Sequence, residues 1–154
     1  AARRTRCRAG LGRASSGDGR FAATWCIDIV IFVDTNVFMY AVGREHPLRG
    51  PARDFFECSV EHRSRLVTSV EVLQELLHAY IPADRIDTLD AALTLARSLT
   101  EIWSIEESDV LHARTLTDRY RALGARDLIH LACCQRRGVT EIKTYDRALA
   151  SAFA

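Results

Sequence analysis

Residues 29–41 read IVIFVDTNVFMYA, an unbroken apolar run at 29–33 that ends on an acid, Asp34. The run is apolar on both faces, the pattern of a strand covered by helices on each side of a sheet. An acid directly after such a strand stands at its carboxyl end, where open parallel sheets build their binding sites. Like every other apolar stretch in the chain, the run is short. It is far short of the roughly 20 residues needed to span a membrane, so no membrane partner and a cytoplasmic location are expected.

Working outward, strand and helix signals alternate. Residues 52–62 carry the stripe Ala52, Phe55, Phe56 behind Pro51, a residue suited to a first helical turn. A short strand at 66–68 precedes Ser69, a candidate cap for a helix striped by Val72, Leu73, Leu76, Leu77 and Tyr80 and ended near Pro82. A further stripe fills 84–99, and 101–105 is expected to be a third strand. Ser104 and Glu107 have capping-box spacing for a helix running to about residue 123, stopped by Gly124. A last marked helix at 127–137 ends before Gly138, and 139–145 is the final strand candidate. Such alternation predicts an α/β fold with three α/β/α layers and a central parallel sheet of four to five strands.

The 154 residues suffice for one domain. Residues 1–26 are rich in Arg, Ala, Gly and Ser and are expected to form a disordered extension, with 27–154 as the domain; an RNA-binding arm is the alternative for the extension. The net charge of +1 is uneven, because residues 1–20 hold six Arg against Asp18 and the rest of the chain sums to −4. That balance excludes broad electrostatic capture of nucleic acid and leaves only local arginine patches. Five cysteines, an odd number without a CxxC pair, read as reduced thiols, and the five scattered histidines are assigned to no metal.

Four acids hold positions that suit chemistry. Asp34 and Asp146 both follow strands, although each alone reads equally well as a helix cap. Glu75 lies mid-helix at the edge of an apolar stripe, with Glu71 as a weaker competitor one turn earlier. Asp127 shares a helix face with Leu131 and Cys134, whereas Asp109 is adequately explained by its place in a first helical turn. Converging carboxylates repel one another, and a divalent cation relieves them. Oxygen ligands without a Cys or His cluster favour Mg²⁺ or Mn²⁺, one ion or two, and such a centre suits hydrolysis of a phosphodiester.

The segments IVIFVDTNVFMYA, TSVEVLQELLHAY, ARDLIHLA and KTYDRAL occur in the order of the PIN-domain ribonucleases. The chain resembles that family from residue 29 to about 150, and within it the compact toxins of VapBC toxin–antitoxin pairs. The resemblance implies a Mg²⁺- or Mn²⁺-dependent endoribonuclease acting on RNA, a homodimer or hetero-oligomer with a small VapB-like antitoxin. It makes Asp34 and Asp127 the principal metal ligands, with Glu75 and Asp146 completing the set and Asn36 and Thr144 orienting them. Arg126, with Arg44, Arg49 and Arg147, would meet RNA phosphates. Tyr145 departs from the family, which often has a small or polar residue there. Competing readings are a PIN nuclease of RNA maturation, an inactive PIN binding module, and an aspartyl-phosphate phosphatase, whose second motif acid is Asn36 here.

Overall fold

The computed structural model describes residues 29–154; the expectation for residues 1–26 lies outside them. Four strands, β1 (Val30–Val33), β2 (Arg65–Ser69), β3 (Glu101–Trp103) and β4 (Glu141–Lys143), form one sheet in the order β3-β2-β1-β4. All three pairings are parallel, as the alternation of elements predicted. The chain therefore steps outward from β1 to β2 to β3, then returns to the free side of β1 with β4. That reversal makes the carboxyl end of β1 a topological switch point.

Among the described residues seven helices surround the sheet: α1 (Thr35–Val42), α2 (Arg49–Glu61), α3 (Val70–Tyr80), α4 (Ile86–Leu99), α5 (Glu107–Leu116), α6 (Ala125–Arg136) and α7 (Arg147–Ala152). They pack in two groups, α1 to α4 and α5 to α7, which supply the outer layers. The main core joins Phe32, Val33 and Val67 of the strands to Val37, Phe38, Phe56, Val72 and Leu76 of the first group. A second cluster links Ala113 and Leu116 of α5 with Leu128, Leu131 and Ala132 of α6.

Several local expectations need correction. The capping box of α5 is Glu106 with Asp109, because the N–H of Glu106 finds the Asp109 carboxylate; the spacing of Ser104 and Glu107 was coincidental. This helix stops at Leu116, where the hydroxyls of Thr115 and Thr117 bond back to the carbonyls of His112 and Arg114 and compete with helix continuation. Helices α1 and α7 had no separate signal, since each follows its strand-end Asp directly and is short. Ser69 does precede α3, yet its buried hydroxyl makes no capping bond. Cys133 and Cys134 are free, buried thiols. Gly138 stops α6 as expected, in the left-handed conformation (φ 69°) that favours glycine.

Candidate metal centre

Asp34 leaves β1 and caps α1, and its placement follows from the sheet register. Val33 stands opposite Lys143, and the N–H of Asp34 donates to the Lys143 carbonyl at 3.0 Å. One residue farther along, Asp34 and Thr144 are therefore side by side. The Thr144 hydroxyl donates to Asp34 Oδ2 at 2.6 Å, Asn36 Nδ2 donates to the same oxygen at 2.6 Å, and the Thr35 N–H donates to Oδ1 at 2.7 Å. Asn36 ties the two strand ends together again, accepting at Oδ1 from the N–H of Tyr145. Asn36 and Thr144, the two residues expected to orient the acids, thus both hydrogen-bond to Asp34 Oδ2.

Glu75 reaches the same place from α3. The Thr35 hydroxyl donates to Glu75 Oε2 at 2.6 Å, so adjacent backbone and side-chain groups of one threonine join the two carboxylates. His130 of α6 approaches Glu75 Oε1 through Nε2 at 3.1 Å. One ligand atom each of Asp34, Glu75 and His130 lies within 4.8 Å of the others. Among the described residues these three form a group that could hold a metal ion.

Electrostatics distinguish the two acids. Burial pushes the Asp34 carboxyl above its ordinary range, only partly opposed by its hydrogen bonds. Burial also acts upward on Glu75, but hydrogen bonds from His130 and Thr35 outweigh it and carry the group net downward. An ionised Glu75 can only accept, so His130 Nε2 bears the proton and Nδ1, buried, has no partner. No arginine or lysine forms an ion pair with Asp34 or Glu75 among the described residues. An ionised carboxylate offers about four acceptor sites; Asp34 fills three of them and Glu75 two, so oxygen lone pairs remain for a cation. The residues fit a divalent ion: hard oxygen donors, close together, with no arginine or lysine ion-paired to either among the described residues.

Asp127 and Asp146 stand apart from this trio. Asp127 Oδ2 accepts from the N–H of Gly124 at 3.1 Å, closing the first turn of α6. Asp146 Oδ1 caps α7 through the N–H groups of Ala148 and Leu149. Arg126 lies 3.8 Å from Glu71, which pairs the proposed phosphate contact with the weaker carboxylate candidate. The residue that sequence reading passed over is His130. It follows Asp127 at i+3 on one helix, a spacing that puts both on the same face, but a single histidine in an apolar helix carries no signal of its own. Cys133 is a buried thiol, and burial pushes it up to about 11.

A family model described as PIN domain matches residues 31–152. Ribonuclease VapC23 of Mycobacterium tuberculosis (strain ATCC 25618 / H37Rv) is 71% identical over 124 residues, 80% of this chain and 98% of the relative. Among solved structures, VapC20 of Mycobacterium tuberculosis, described as a Sarcin-Ricin loop cleaving toxin, superposes with a TM-score of 0.61 at 18% identity, covering 79% of this chain and 94% of that one. VapBC2 from Rickettsia felis, bound to a DNA fragment from their promoter, gives 0.60 at 16% identity, covering 76% and 87%. At those identities the two structures speak for the fold.

Proposed function

The chain belongs to the PIN-domain family, and from that premise we propose that it is a divalent-metal-dependent endoribonuclease serving as the toxin of a toxin–antitoxin pair. The observation that carries the reading is the Asp34–Glu75 pair at the switch point, Asp34 buried and Glu75 half-buried, bridged by Thr35, with no arginine or lysine ion-paired to either among the described residues. The ion is Mg²⁺ or Mn²⁺, matched to oxygen donors. When bound, it supplies an activated water and stabilises charge on the phosphate oxygens.

The side chains divide the remaining work. Asp34 and Glu75 hold the ion, and Thr35, Asn36 and Thr144 fix the direction of their lone pairs. His130 donates to Glu75 and keeps it ionised and in place. Asp127 and Asp146 stand apart from the trio, each with one oxygen on a helix end; they would complete the set by holding the ion's water with the other. Arg126 stands beside Asp127 for a substrate phosphate. A small VapB-like protein is the natural inhibitor, in a hetero-oligomer formed in the cytoplasm; no described helix is long and apolar enough to cross a membrane.

The test is cleavage of total RNA with added Mg²⁺ or Mn²⁺, with EDTA, and with Asp34→Asn protein alongside. Discrete fragments that require the metal and vanish in the variant are expected. Fragments that persist in EDTA or in Asp34→Asn protein would overturn the assignment.

A further inference from the structure

Beside the carboxylates lies a cleft of about 260 Å³ that the chemistry above does not use. Its lining includes Asn36, Tyr40, Arg44, His46, Tyr80 and Arg85. Asn36 is the link, because the same side chain donates to Asp34 Oδ2. The volume falls below the roughly 300 Å³ at which pockets for drug-sized ligands begin, and suits a single flat group.

Aromatic and basic groups are interleaved in this cleft. The rings of Tyr40 and His46 stack at 4.5 Å with 24° between their planes. Tyr145, the family departure noted in the sequence, meets Tyr40 edge-on at 5.4 Å and backs the stack from the β4 side. His46 Nδ1 accepts from the N–H of Leu48, so in the neutral ring Nε2 carries the proton. Arg44 is exposed, and Arg85 lies over the Tyr80 ring at 5.3 Å. Glu45 also lines the cleft, but Arg49 stands 3.7 Å from its carboxylate and partly answers its charge.

Resting on the nuclease reading, we infer that this cleft is a subsite for one unpaired nucleotide of the RNA next to the phosphate being cut. The base stacks on the Tyr40–His46 pair, and Arg44 and Arg85 receive its flanking phosphates. Stacking on aromatic rings demands an unpaired base, which directs the enzyme to single-stranded loops in place of continuous duplex. Arginine forks pair with phosphate oxygens whatever the base, so they add affinity and salt dependence. The subsite selects substrate without touching the reacting atoms.

The experiment measures fluorescence anisotropy of a labelled, mixed-sequence, single-stranded oligoribonucleotide on full-length Asp34→Asn protein, with His46→Ala or Arg44→Ala added. Each addition is expected to weaken binding about tenfold, and only Arg44→Ala should flatten the salt dependence. In otherwise wild-type protein the same changes should raise KM and leave kcat within a few fold. Unchanged affinity in both variants, or equal binding of a duplex of the same sequence, would overturn the subsite. Retained RNA affinity with lost inhibition by the antitoxin would overturn it too, giving the cleft to the protein partner. RNA binding that depends on His46 and Arg44 in a protein that cuts no RNA would uphold the subsite and sink the nuclease reading.

Discussion

Asp34 and Asp109 are both buried aspartates, 6% and 0% exposed, yet the protein treats them in opposite ways. Asp34 receives hydrogen bonds from an amide, a carboxamide and a hydroxyl, all neutral. Asp109 receives the guanidinium groups of Arg136 and Arg137 at the end of α6, together with the N–H of Glu106. Burial raises both groups in the first instance, but at Asp109 the hydrogen bonds, led by that from Arg137, bring the carboxyl down to about 2, while Asp34 stays above its ordinary range. The fold can answer a buried carboxylate with full positive charge, and at the carboxyl end of β1 it does not. One aspartate joins α5 to α6 through arginines; the other is held by neutral donors alone.

Breaking the compensated pair should have the largest effect. Asp109→Ala leaves two arginines facing an emptied site, and a loss of about 3–5 kcal/mol is expected in urea unfolding, with activity per folded molecule retained. Asp34→Asn should do the reverse, lowering RNA cleavage at least a hundredfold, about 3 kcal/mol, while the melting temperature holds or rises because an uncompensated charge has gone. A cleavage loss from Asp109→Ala matching that of Asp34→Asn in fully folded protein would erase the distinction between the two regions.

Ligand and proton titrations sharpen the contrast. A divalent ion at a hundred times its Kd should stabilise the wild-type protein by about 2.7 kcal/mol, and this shift should be absent from Asp34→Asn protein. For Asp109 the folded value lies below the ordinary 3.8, so its contribution is present above that pH and fades as the pH falls toward about 2. The expected loss is about 2 kcal/mol, and it should be missing from Asp109→Asn protein. Asp34 has the opposite sign: its folded value is raised, so in metal-free protein protonation favours the fold and this contribution fades as pH rises past the ordinary 3.8 and through the raised value. The smallest effect is expected at Ser69, whose buried hydroxyl lacks any partner at the same sheet edge; Ser69→Ala should change thermal stability by less than about 0.5 kcal/mol or raise it.

Much of the fold was legible because hydrophobic period reports which face of an element is buried. The four strands stand where the apolar runs placed them, and five of the seven helices carry recognisable stripes. Helix ends were less legible: the stop at Leu116 depends on threonine hydroxyls turning back on their own backbone, which periodicity does not register. At the site, Asp34 and Glu75 were readable from position, one at a strand end and one on a stripe edge. His130 was not, because it is defined by Glu75, 55 residues away, and by the crossing of α3 and α6.

The sequence by itself determined the alternation of strands and helices, the parallel sheet, and an acid at the carboxyl end of β1, since these follow from local pattern and the chemistry of adjacent residues. Only the tertiary structure decided partners. The return of β4 to the free edge of β1 brings Thr144 to Asp34 across 110 residues, and packing of α5 on α6 brings Arg137 to Asp109 across 28. A residue's pattern fixes the face on which it lies, but the charge it meets there is set by which element the chain folds against it, and that separates a buried acid held by two arginines from one held by neutral donors alone.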